Sequence, residues 1–175
     1  MTYNPLEKFS KSRIPPSEDD KYWRNKRVQG YVHDMGAAML DGVSGHAGLF
    51  SNANDLAILM QMLLNEGYYG GERYLTPETI RLFTNRHQSD TRRGIGFDMK
   101  ELDSSRSMNM SEKASPATFG HLGFTGTCVW VDPAHNLVYI FLANRTFPSY
   151  RRRKNIWGNE NFRPRIQSVI YEALN

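Results

Sequence analysis

FGHLGFTGTCVWVDPAHNLVYIFLA, residues 119–143, is the stretch that decides the fold. Its second half reads as a β-hairpin. Thr127–Val131 and Leu137–Ala143 are rich in β-branched and aromatic residues, and they flank Asp132–Asn136, a five-residue loop of turn formers. In the second strand both faces are apolar: Leu137, Tyr139 and Phe141 on one, Val138, Ile140 and Leu142 on the other. Side chains alternate across a strand, so a sheet with this strand needs cover on both faces. The first half is different in kind. Gly120, Gly123 and Gly126 surround one histidine, His121, and one threonine, Thr125. Glycines at that density let another backbone or a ligand come close to a strand edge. Taken alone, they also fit a Gly-rich bend with an ordinary surface histidine.

Moving outward, helices precede the hairpin and one follows it. Ala53 to Glu66 contains neither Gly nor Pro, and Gly67 ends it. Leu56, Leu59, Met60 and Leu63 fall at i, i+3, i+4 and i+7, which marks one buried helix face. Thr76-Pro77 reads as an N-cap followed by proline at the first helical position, opening a second helix through Arg81 and Phe83. Residues 94–99, GIGFDM, are short and β-like, and the polar, aperiodic stretch from Ser104 to Ser115 reads as a mobile loop. At the end, Ile166, Val169, Ile170, Ala173 and Leu174 recur at helical spacing, giving an amphipathic helix to cover the sheet. Residues 1–30 are polar, and Pro15-Pro16 excludes a regular helix or a central strand there; Tyr22 and Trp23 are the candidate anchors. The order is irregular segment, helices, antiparallel strands, closing helix, which is α+β. Few strands serve so apolar a final strand, so the sheet reads as incomplete. The expected organisation is one partial domain over 1–175: irregular segment and loops over 1–50, helices over 51–90, strands and closing helix over 91–175.

Composition narrows the function classes. The 175 residues carry 22 basic and 18 acidic side chains, a net charge of +4, and one cysteine, Cys128. No intramolecular disulfide is possible. No stretch approaches the roughly 20 apolar residues of a membrane-spanning helix, and the N-terminus MTYNPLEKFSKSR has no apolar signal core. A soluble chain is expected. Much of the positive excess sits in Arg151-Arg152-Arg153-Lys154. Such a run can bind polyanions by neutralising phosphates, or it can be a solvated loop. No stacking aromatics are interleaved with it over any length, and nucleic acid is not an expected partner.

Several motifs in order give the chemistry. Gly120-His121-Leu122-Gly123 is similar to the H-x-G variant of the K-T-G motif of class C beta-lactamases, penicillin-binding proteins and related esterases. The hairpin of residues 127–148 resembles the one after that motif. Upstream, Val32-His33-Asp34 and Gly45-His46-Ala47-Gly48-Leu49-Phe50-Ser51 resemble the family's V-H-D and G-x-x-G-L-x-S stretches, and Asn54-Asp55-Leu56-Ala57 continues into a helix as in many members. The match keeps the family's order from about Ile14 onward. The resemblance implies a serine hydrolase that works through an acyl-enzyme, with no cofactor. It implies that His121 stands where the motif lysine does, that the backbone N–H of Phe124, just after Gly123, is an oxyanion donor, and that Thr125 lines the pocket. It also implies that Asn144 and Arg145 lie near a substrate carboxylate, and that His46 borders the pocket, unless that ring is a structural histidine bonded to backbone.

One departure matters more than the match. The family nucleophile lies in S-x-x-K, where the lysine shares a helix face with the serine it activates. The residues three before Lys8, Lys11, Lys21, Lys26, Lys100, Lys113 and Lys154 are Pro5, Lys8, Glu18, Trp23, Phe97, Met110 and Arg151. None is serine. The second motif, Y-x-N or S-x-N ahead of V-H-D, is missing too; Ser107-Met108-Asn109 fits its letters but lies out of order. The expectation is therefore the C-terminal part of a longer cell-envelope hydrolase, inactive alone. Its partners would be a small-molecule or peptidoglycan-like substrate and the missing N-terminal half, with self-association of the fragment through uncovered surface. The alternative is a degenerate relative kept as a binding module. His33, Asp34, His46 and His121 match no zinc spacing, so no metal site is expected. Gly94-Ile95-Gly96 lacks the third glycine of a dinucleotide fingerprint.

Overall fold

In the computed structural model, residues 1–149 and 162–174 are described, and the basic run Arg151–Lys154 lies outside them. The chain divides into two compact units. The described part of the first comprises residues 1–52, 124–126 and 143–149, and that of the second comprises residues 53–123, 127–142 and 162–174.

In the first unit, β1 (Pro16–Asp20) and β2 (Lys26–Gln29) form an antiparallel ribbon, with a register shift between Pro16 and Glu18. Pro16 is tolerated because, among the described residues, β1 makes no second strand-to-strand ladder. Its outer side is held instead by single bonds. The Asn144 amide donates to Pro16 O (2.6 Å), the Thr146 hydroxyl to Ser17 O (2.7 Å), and the Asp19 N–H to Pro148 O (2.9 Å). The anchoring expected of Tyr22 and Trp23 is not observed, since their side chains are 84% and 44% exposed. Asp20 does that work. Its buried carboxylate accepts from the N–H groups of Tyr22, Trp23 and Arg24 and from Arg24 Nε (2.7 Å), and the Arg24 guanidinium reaches on to Val32 O and His33 O. Arg24 and those N–H groups hold the Asp20 carboxyl well below the usual carboxylate range. A short helix, α1 (Met35–Ala38), follows, capped by Asp34.

The second unit holds the predicted helices and sheet. Helix α2 (Ala53–Leu64) buries Met60 and Leu63. Strands β3 (Tyr68–Tyr69) and β4 (Glu72–Arg73) make a small hairpin, and α3 (Pro77–Thr84) starts where Thr76 accepts from the Thr79 N–H. The main sheet is antiparallel, in the order β5 (Asp98–Met99), β6 (Phe119–Leu122), β7 (Cys128–Asp132), β8 (Leu137–Phe141). A final helix, α4, spans Phe162–Ala173. The architecture is α+β, as read.

Both faces of the sheet are covered. Met60, Leu63 and Ile80 from the helices pack with Met99, Phe119 and Val131 on one side. On the other, Met110, Ala114 and Tyr171 pack with Cys128, Trp130 and Tyr139. The second cluster corrects two expectations. The stretch read as a mobile loop buries Asn109, Met110, Ser111 and Ala114, because the Asn109 amide donates to Met99 O (2.9 Å) and to Asp98 (3.2 Å). Helix α4 also turns a partly different side inward, with Ile170 the one residue of the predicted face that packs against this cluster. Gln167 and Tyr171 are buried, while Ile166, Val169 and Leu174 are 41%, 63% and 55% exposed. Polar bonds set this rotation: Gln167 accepts from the Ser111 N–H (2.9 Å), and the Tyr171 hydroxyl donates to Asp132 (2.6 Å).

Candidate active site

The motif strand is β6, paired on both sides. Gly120 lies opposite Asp98 on β5 and Trp130 on β7. A Cβ at Gly120 would overlap Val129 O, so glycine is what allows β7 its close approach. Beyond Leu122 the strand turns sharply. The Gly123 N–H donates to Thr127 O (2.8 Å), and a Cβ at Gly123 would overlap Thr127 Oγ1. Arg163 from α4 donates to Thr127 O (3.1 Å) and lies 3.5 Å from Gly123 O, the carbonyl of the peptide whose N–H belongs to Phe124. Gly123 and Thr127 are thus held together within the second unit.

His121 is exposed on β6. Its Nδ1 is 2.7 Å from Leu122 O, and its Nε2 is 3.4 Å from Arg93 Nη1. Arg93 and Arg92 converge on the buried Asp98, at 3.5 and 2.7 Å. The sequence reading missed this cluster.

The remaining candidates belong to the first unit. Arg145 grips the residues after the turn: its Nε donates to Phe124 O (2.6 Å), its N–H to Thr125 O (2.7 Å), and its guanidinium carbon stands 5.3 Å from the centre of the Phe124 ring. The Phe124 ring, 58% exposed, also stacks on His33 at 5.5 Å. Phe124, Thr125 and Arg145 are therefore brought together. Asn144 is next to them in sequence, but its amide is engaged with Pro16 O, the Thr146 hydroxyl and the Phe147 N–H. His46 stands in a separate chain of bonds, with Nε2 2.9 Å from Asp34 Oδ1 and Nδ1 2.8 Å from Ser44 Oγ. Its partners are side chains rather than backbone. The Ala37 N–H and then His46 hold the Asp34 carboxyl below its ordinary range. The His46 ring is 61% exposed, and this chain of bonds closes the loop over the start of α1.

Among the described residues, no group of three His, Cys, Asp or Glu side chains could hold a metal ion, and no helix is long and apolar enough to cross a membrane.

Comparison with known proteins matches residues 8–160 to the Beta-lactamase family model. A protein of Escherichia coli (strain K12) named as a D-alanyl-D-alanine carboxypeptidase is 39% identical over 123 residues, 70% of this chain and 28% of that protein. A protein of the same name from Salmonella gallinarum is 41% identical over the same shares. The chain thus spans under a third of the length of these relatives. Among solved structures, a beta-lactamase from Mycobacterium bovis aligns with a TM-score of 0.54 at 23% identity, over 73% of this chain and 46% of that one, a likeness of fold.

Proposed function

The chain belongs to the Beta-lactamase family, and from that premise we propose that it is the H-x-G-bearing part of a serine hydrolase acting on D-alanyl peptides, inactive by itself. The observation that carries this reading is β6 with its turn. His121 is presented at the exposed face, and the peptide that ends in the Phe124 N–H is held at Gly123 and Thr127. That is how a fixed backbone donor for a developing oxyanion is built.

In the proposed reaction a serine hydroxyl from S-x-x-K, supplied outside this sequence, adds to the scissile carbonyl. The Phe124 N–H stabilises the oxyanion, and collapse expels the terminal D-alanine amine with a proton. Water then hydrolyses the acyl-enzyme. His121 orients the substrate and shapes the field at the nucleophile, Thr125 lines the pocket, and Arg145 holds the chain that follows the turn. The D-alanyl substrate class rests on the names of the relatives that are 39% and 41% identical. A cell-envelope setting accords with that substrate class. The lack of any S-x-x-K in these 175 residues supports a second reading, a non-catalytic binding module.

The test is hydrolysis of a chromogenic cephalosporin and of a D-alanyl-D-alanine peptide. The chain alone is expected to show none, and turnover should appear when a segment carrying S-x-x-K is joined or added to it. His121→Gln in that complete protein should lower kcat/KM about 100-fold. Turnover by the chain alone that a serine-directed inhibitor abolishes would overturn the missing nucleophile. Persistent inactivity of the complete protein would favour the binding module.

A further inference from the structure

The histidine of the motif has an unassigned neighbour. Leu122 O can only accept a hydrogen bond, so the 2.7 Å contact places the proton of the neutral ring on His121 Nδ1. The other nitrogen, Nε2, is then a bare acceptor, and the group facing it at 3.4 Å is a guanidinium, which can only donate. The two contacts require the same tautomer. We propose that Arg93 is a positioning residue for His121: it fixes the ring as the Nδ1–H tautomer and places beside it a positive charge of the kind a lysine at the motif position would carry. This rests on reading His121 as the motif residue.

Arg93 is held in place by a built support. It forms an isolated antiparallel bridge with Asp98, and its Nη1 lies 3.5 Å from Asp98 Oδ1. Asp98 is buried and fixed from three other sides, by Arg92 Nε (2.7 Å), Asn109 Nδ2 (3.2 Å) and the Met99 N–H (3.2 Å). The residue after Arg93 is locked as well. Gly94 donates to Phe97 O, and a Cβ there would stand 2.6 Å from Phe83 O, at the end of α3. Asp98 pairs with Gly120, the neighbour of His121 on β6. The support therefore runs from α3 through β5 to the motif strand, and it delivers one cation to one ring nitrogen. A lysine at the motif position would carry its own charge on a flexible stem. Here the charge comes from the segment ahead of β5, and the ring adds a directional acceptor.

The tautomer is directly measurable. In the chain labelled with 15N-histidine, long-range proton–nitrogen correlation separates protonated from bare ring nitrogens, and the His121 signals are those lost in His121→Gln. The wild type is expected to show protonated Nδ1 and bare Nε2. Arg93→Ala keeps the Leu122 O acceptor and removes only the donor facing Nε2, so it should raise the share of the Nε2–H form that free imidazole favours above its wild-type level, and Arg93→Lys should keep the wild-type pattern. A wild-type ring protonated on Nε2, or an unchanged ring in an Arg93→Ala protein with wild-type circular dichroism, overturns the proposal. If Arg93→Ala does not fold, Arg93→Gln takes its place, with the same shift expected and an unchanged ring again decisive. A merely structural Arg93 would change stability and leave the tautomer alone. The readout needs no turnover: an inactive complete protein with this tautomer intact counts against the hydrolase reading, and a wild-type ring without this tautomer counts against the role of Arg93.

Discussion

At Gly123 the missing side chain has one reason. A Cβ there meets Thr127 Oγ1, and its next contacts, at 3.4 and 3.6 Å, are ordinary. Gly123→Ala should therefore destabilise the second unit by about 1–3 kcal/mol, the usual range for overpacking. Adding Thr127→Ala, which removes the hydroxyl, should recover most of that; a thermal-melt double-mutant cycle reads the coupling. Asp132 makes a comparable single-residue claim. Burial pushes its carboxyl up, but bonds from Ser115, Tyr171 and His135 outweigh burial and leave it at about 2, against 3.8 in the unfolded chain. A depressed carboxyl stabilises the fold above the unfolded value, and that contribution is lost as pH falls through the folded value. Urea midpoints should thus fall between pH 3.8 and about 2, and Asp132→Asn should flatten that fall while lowering stability near neutrality by about 2 kcal/mol. The glycines of the motif were legible in sequence. Arg93 was not, because it lies 28 residues from His121 and only the pairing of β5 with β6 closes that distance.

Among elements, α4 and β8 show what the fold leaves open. The helix was legible from its period, but of the predicted inward face only Ile170 packs on the core. The periodic apolar residues Ile166, Val169 and Leu174 stay exposed because Gln167 and Tyr171 are tied to Ser111 and Asp132. β8 pairs with β7 on one side and with no strand on the other among the described residues, and Leu142 beyond it is 46% exposed. An unpaired apolar edge and an uncovered helix face both favour association. Sedimentation velocity should show concentration-dependent self-association of this chain. Val169→Glu with Leu174→Glu should shift it toward monomer if the helix face contributes. A monomer at all concentrations with a cooperative melt would count against an incomplete sheet. The loop over 104–115 misled for a related reason: its polar composition hides Asn109 and Ser111, which are buried because each finds a hydrogen-bond partner.

Taken whole, the molecule presents Gly120-His121-Leu122-Gly123 on a chain of the Beta-lactamase family that spans under a third of the length of its named relatives. The predicted inactivity toward beta-lactams belongs at this scale, since it follows from what 175 residues contain rather than from any one contact. By itself the sequence determined the family, the α+β class, the helices at Ala53 and Pro77, the hairpin and the lack of an S-x-x-K serine. These are properties of local period, turn chemistry and motif order, which neighbours along the chain encode. Tertiary structure decided the rest: the rotation of α4, the ribbon of β1 and β2 held by Asp20 and Arg24, and the cation beside His121. The rotation of α4 and the cation beside His121 depend on polar groups finding partners far along the chain, and no local pattern records where those partners are; the Asp20–Arg24 pair is close in sequence, but only the folded ribbon buries it.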